Sequence, residues 1–170
     1  MTATRVAKEE FNTYFQAQWT DGLTNGLPNS TPVLAALVFT VGATVYVPTV
    51  YWPNVERRER LSHEQHFARF VFENLKTSQT SLPGGRVNGG GVKYTTPGIA
   101  VVELFFSKSN YTTVEEDFLT AIAQEMFLGK RTTNIWFRTA TVKQVPEEEK
   151  HYRTNVVVEY EYDTHIRNPA

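Results

Sequence analysis

Several groups of residues in this sequence have the types and spacing that chemistry uses. His63-Glu64-Gln65-His66 puts two imidazoles close together. A zincin helix needs its histidines at i and i+4, and no third ligand can be named here. A surface or strand-edge pair is the simpler reading, and no metal is expected. The run Gly84-Gly85-Arg86-Val87-Asn88-Gly89-Gly90-Gly91 invites a phosphate-loop reading. It lacks the Gly-Lys-Ser/Thr ending and does not run from a strand into a helix start, so its amides lack a helix terminus to help hold phosphate. A flexible loop is expected, with no nucleotide cofactor.

Nucleophilic catalysis finds no support. The chain has no cysteine, and its serines show no nucleophile elbow. Glu115 and Glu116 open a helix, where carboxylates favour the helix dipole. Glu147-Glu148-Glu149 reads as a solvated turn. The expectation is therefore no catalytic residue and no enzyme activity.

The row Glu159, Glu161 and Asp163 alternates with apolar residues. Its plain reading is the solvent side of a strand. The sharper reading is that these acids line a shared channel in an oligomer and face a passing polyanion that must not stick. Arg57, Arg58 and Arg60 form a short basic cluster suited to pairing with acids on a neighbouring subunit, and Arg86 joins them as an interface candidate.

The elements that position these groups are legible as patterns. Ala7, Phe11, Phe15 and Trp19 make one apolar stripe at helical period, with Asp21-Gly22 as the stop. Residues 24–31 are turn-rich, residues 38–50 read as short extended pieces, and Trp52-Pro53-Asn54 reads as a turn. Residues 66–75 favour a strand. Residues 76–98 hold Pro83-Gly84, three consecutive glycines and Pro97-Gly98, which points to a long flexible loop or short hairpin arm. Residues 99–106 form a strong strand. Thr113 with Glu116 makes a capping box, and Val114, Phe118, Ile122 and Met126 run at i+4 steps towards Gly129, Lys130 and Arg131. Strands at 135–145 and 152–163 close the chain as a hairpin. The order is helix, strands, helix, two-strand hairpin, so the expected class is α+β: a mainly antiparallel sheet with two principal helices packed on it.

Composition sets the frame. A chain of 170 residues with 41% hydrophobic and 21% charged residues is one ordinary globular domain, able to bury about 70% of its unfolded surface. A formal charge of −1 does not suit binding by phosphate neutralisation. The first ten residues carry no apolar run, so no signal peptide is expected. The apolar stretch 33–50 is too interrupted by polar residues, glycine and proline to cross a bilayer.

Taken together, the aromatic helix ending at Trp19, the extended segment reaching Tyr51-Trp52-Pro53-Asn54, the charged strand over 57–72, the strand Thr96-Pro97-Gly98-Ile99-Ala100-Val101-Val102-Glu103-Leu104-Phe105, the helix over 113–128 and the closing hairpin resemble the tail terminator proteins of long-tailed bacteriophages. The likeness covers roughly residues 11–162 as a pattern of elements, and 76–98 and 34–50 are longer or more apolar than that pattern asks. The resemblance implies a non-enzymatic virion protein, assembled in the host cytoplasm. Its hexameric ring caps the tail tube, stops tube polymerisation and joins a head-side connector or neck protein, while DNA passes through the lumen without specific binding. A rival reading is a small α+β cone that binds or transforms an apolar ligand, which would need a pocket with convergent polar groups, for example His66 with an acid. Another is a different phage neck connector.

Overall fold

The computed structural model describes residues 3–28, 33–52, 63–73, 80–81, 92–146 and 148–166. Among the described residues two helices and eight strands follow in chain order: α1 (Ala3–Asn25), β1 (Phe39–Val41), β2 (Thr44–Tyr46), β3 (Thr49–Tyr51), β4 (Phe67–Glu73), β5 (Thr80–Ser81), β6 (Val92–Ser107), α2 (Thr113–Glu125), β7 (Ile135–Val145) and β8 (His151–Ile166). The fold is α+β. The main sheet runs β3-β4-β6-β8-β7, with β5 also paired to β6, and β1-β2 forms a separate hairpin. All pairings are antiparallel except β3 with β4.

Both helices pack on one face of the sheet. Strand alternation sends Val102, Leu104 and Phe106 of β6, and Val156, Val158 and Tyr160 of β8, to that face. The α1 stripe Ala7, Phe11, Phe15 and Trp19 is buried against them. Phe11 is the hub: its ring meets Phe70 at 4.8 Å, Phe127 at 5.1 Å and Phe137 at 5.1 Å. Such tilted and edge-on ring contacts add to simple area burial. Trp19 also donates its indole N–H to the Pro48 carbonyl at 3.2 Å, which pins the chain between β2 and β3 to the helix.

The helix termini differ from the sequence expectation by instructive amounts. α1 runs through Asp21-Gly22 and ends at Asn25, where Gly26 takes φ 72° and its N–H returns to the Gly22 carbonyl at 2.9 Å. Gly22 is there for packing instead: a β-carbon on it would lie 2.9 Å from Ile122 of α2. At the start of α2 the cap is Thr112, one residue before the expected Thr113. Its Oγ1 accepts from the Glu115 N–H at 3.2 Å and donates to the Glu115 carboxylate at 2.7 Å. α2 stops at Glu125, so Lys130 and Arg131 fall beyond its last turn and serve other contacts.

The region expected as loop over 76–98 is partly strand. Val92–Gly98 is the first half of β6, because β8 runs on to Ile166 and pairs with it throughout, Val92 with Ile166 and Gly98 with Tyr160. Thr80-Ser81 pairs back on Thr95-Tyr94. The Gly84–Gly91 run and the Pro53-Asn54 turn lie outside the described residues.

Candidate functional site

Arg57, Arg58, Arg60 and Arg86 also lie outside the described residues. The acidic row is described. Glu159, Glu161 and Asp163 sit on the face of β8 opposite the helices, since Val158, Tyr160 and Tyr162 are buried on the other. Glu161 accepts from the Arg138 guanidinium at 2.7 Å, and that guanidinium stacks 3.5 Å from the Trp136 ring centre. Asp163 accepts from Thr95 Oγ1 at 2.8 Å and lies 3.7 Å from Arg131. Glu159 is the exposed member of the row. Much of the row's charge is therefore met by cations of the same chain.

The same face carries a polar cluster that sequence reading missed. Glu103 is buried, and its two carboxylate oxygens accept one each from Arg69 and Arg153. The three residues come from neighbouring strands: Arg69 is registered with Glu103, and Glu103 with Asn155 beside Arg153. Both guanidinium groups lie over the Phe105 ring, at 5.3 and 5.6 Å. Phe105 stacks on Phe67 at 4.5 Å, and Tyr51 meets Phe67 edge-on at 5.4 Å. The guanidinium groups thus cover an aromatic pair on the face opposite α1 and α2. This arrangement holds strands together.

His66 is the group best placed for acid–base work. It is 1% exposed, and its Nε2 meets the Glu115 carboxylate at 3.2 Å. Its Nδ1 accepts the backbone N–H of Ser107 at 3.0 Å, which puts the ring hydrogen on Nε2, donating to Glu115. The Ser107 hydroxyl goes elsewhere, to the His63 carbonyl at 2.7 Å. A serine–histidine–acid relay needs the histidine nitrogen on the serine oxygen, and here it is on the amide. His66 with Glu115 is the acid pairing that the ligand-binding reading asked for. Its geometry is that of a rivet between the entry of β4, the end of β6 and the start of α2. Among the described residues no group of three or more His, Asp or Glu side chains is placed to hold a metal ion.

Three further polar sites are built into the frame. Glu116 accepts from the Tyr111 hydroxyl and, at 2.8 Å, from Thr154 Oγ1. That bond to a carboxylate pushes the Tyr111 pKa up to about 12. These residues, with Tyr152 and Gln144, line a small groove of about 180 Å³. Glu10 of α1 accepts from Thr132 Oγ1 at 2.6 Å, Asn134 N–H at 3.0 Å and Asn134 Nδ2 at 2.9 Å. Burial works against its charged form, but these donors outweigh it and lower the carboxyl pKa. His151 is buried beside Phe67 at 5.2 Å and His63 at 6.4 Å. Among the described residues its Nε2 has no hydrogen-bond partner. Burial, and then the nearby His63, lower its pKa, opposed by Glu148.

The remaining feature is apolar. Val38, Val45 and Val47 on and beside the β1-β2 hairpin are 71%, 65% and 69% exposed. The signal for it was present in the sequence as a charge-free run: residues 22–55 contain no Asp, Glu, Lys, Arg or His. Elsewhere Leu128, after α2, and Trp136 and Val142 of β7 are exposed. No family model matches the chain, and no curated protein matches it.

Proposed function

We propose that this chain is a non-enzymatic assembly subunit of the tail terminator kind, with copies joined in a ring that caps the tail tube of a long-tailed bacteriophage. In this reading the ring stops further addition of tube protein and offers the head-side connector its joining surface. The chain is then a virion tail component assembled in the host cytoplasm. DNA passes the lumen without specific contacts in this reading.

The observation that carries the reading is the valine-bearing hairpin. Exposed apolar surface collected on one element marks an interaction site. A hairpin without a single charge, in a chain with 21% charged residues, is suited to being covered by protein. The element order helix, strands, helix, hairpin agrees with the resemblance. The internal satisfaction of the Arg69–Glu103–Arg153 and His66–Glu115 groups gives these polar side chains structural work.

The test is polymerisation of a tail tube protein with and without this chain. The reading expects shorter tubes with density at one end that this chain supplies. Tubes of unchanged length and bare ends, with the chain left in solution, would remove it.

A further inference from the structure

We propose that His151 is a proton-operated latch on the turn that enters β4: on taking up a proton in mild acid it lets go of that turn, while the helix-side core stays closed. The latch works within a single chain and does not depend on the assembly reading above.

Residues 63–66 form neither helix nor strand, so their backbone carbonyls need partners from elsewhere. Three consecutive carbonyls are each met by a side chain. Ser107 Oγ donates to that of His63 at 2.7 Å, Asn110 Nδ2 to that of Glu64 at 2.9 Å, and the His151 ring to that of Gln65. The same turn is tied to two further elements. The His66 N–H donates to the Tyr46 hydroxyl of β2 at 3.0 Å, and His66 Nδ1 accepts the Ser107 N–H at 3.0 Å. Of the three side chains that clamp the carbonyls, His151 is the one whose charge changes near neutral pH.

Its surroundings favour the neutral ring. His151 is 7% exposed, with Phe67 at 5.2 Å and Phe105 at 6.2 Å, both edge-on. Among the described residues its Nε2 has no hydrogen-bond partner, so the ring hydrogen that faces Gln65 is on Nδ1. A proton added at Nε2 therefore makes a buried cation whose new N–H has no acceptor among the described residues.

The charged groups around the ring do not offset this. On the turn, His63 lies 6.4 Å away, ring to ring, and both it and His66 oppose the charge. Glu148, before β8, favours it, but Glu148 already lies 3.5 Å from Arg153 of β8. Arg69 of β4 and Arg153 share Glu103 of β6. After β6, Lys108 holds its ammonium 5.2 Å from the Tyr152 ring centre. Glu64, Glu149 and Lys150 are exposed. Burial, and then His63, thus keep the folded-state pKa below 6.5. The ring gains water for its charge by swinging outward, and that abandons the Gln65 carbonyl. The Phe11 cluster is not part of the latch, because its ring contacts run to Phe70, Phe127 and Phe137 under the helices.

The test is amide hydrogen exchange of the full chain by NMR from about pH 8 to about pH 5, with rates corrected for the intrinsic effect of pH. The His66 and Ser107 amides report on the turn, and those of Val156 and Val158 report on the middle of β8. Below pH 6.5 protection at His66 and Ser107 is expected to fall by about tenfold. Val156 and Val158 should stay far better protected at every pH, as a local opening requires. The His151 ring, followed through its Cε1 proton, should titrate with the same midpoint as the turn amides. His151→Phe should make the protection of those two amides independent of pH over this range. Flat protection in the parent would overturn the latch. So would turn amides that exchange at the rates of Val156 and Val158, since the opening would then be global. A loss that persists in His151→Phe would assign the effect to His63 or His66 and overturn it too. If that variant does not fold, the parent decides alone: a His151 midpoint different from that of the turn amides overturns the proposal.

Discussion

Gly98 of β6 lies directly across the sheet from Tyr160 of β8, and the tyrosine ring fills the space that a side chain at 98 would need. The two are registered partners, and a β-carbon on Gly98 would fall 2.3 Å from the Tyr160 ring. The ring is held on its other sides by Phe11 at 5.8 Å and Phe72 at 5.2 Å. It has no easy way to retreat. Gly98→Ala is therefore expected to destabilise the chain by about 2 kcal/mol, the usual cost of overpacking a filled core. Gly22→Ala is expected to cost less. Its clash is with the Ile122 side chain at 2.9 Å, and alanine regains about 1 kcal/mol of helix propensity. Urea denaturation of both variants checks the order.

Glu103 supplies a second prediction. Removing this carboxylate leaves Arg69 and Arg153 side by side over Phe105 without their shared partner. Glu103→Ala is expected to cost about 2–3 kcal/mol, below the usual loss for breaking a buried pair because both arginines reach solvent. In a double-mutant cycle Glu103→Ala and Arg153→Ala should be strongly non-additive. Additive effects would contradict the shared-carboxylate geometry.

Stability should fall in acid in two steps. His151 has a folded-state pKa below its ordinary value of 6.5. The unfolded chain therefore binds its proton first, and stability is lost as pH drops from about 6.5 through the folded-state value. Glu10 has a folded-state pKa below 4.5. Its contribution is present above 4.5 and is lost as pH falls through the lowered value. His151→Phe keeps a ring beside Phe67 and removes the proton site. It should match the parent near pH 8 and lose less stability between pH 6.5 and 5. Glu10→Gln should leave that first step alone and flatten the second.

His66 and Glu115 are expected to act as a structural pair. His66→Phe removes the acceptor for the Ser107 N–H and the donor to Glu115, and should cost about 2 kcal/mol through the groups left unpaired. Glu115→Gln keeps an acceptor for Nε2 and should cost under about 1 kcal/mol. Thermal melts of the two variants distinguish these sizes.

Much of the fold was legible because periodicity survives in single elements. The stripe from Ala7 to Trp19 and the alternation from Val156 to Tyr162 each needed one burying face, and each has it. β7 was readable to its ends as 135–145. Errors fell where a distant partner decides. Pro97-Gly98 looks like a turn, yet Tyr160 and the length of β8 hold it in a strand. Asp21-Gly22 looks like a helix stop, yet Ile122 needs the gap that glycine leaves. The cap at Thr112 was missed by one residue because Thr113 and Glu116 have the same spacing. Less of the site was legible. The acids on β8 could be seen as a row, but their partners Arg138, Arg131 and Thr95 come from other strands and turns. Glu103 reads as an unremarked residue within an apolar run until β4 and β8 place an arginine on either side.

The central claim is that this chain works by joining copies of itself. The most direct measurement is its mass by light scattering coupled to size exclusion, across concentration and salt, with negative-stain imaging of the largest species. The account predicts a species of roughly six subunits, seen as rings with a central hole, whose formation is weakened by charge on the hairpin. A chain that stays a monomer or dimer at every concentration, with and without a tail tube protein, would contradict it.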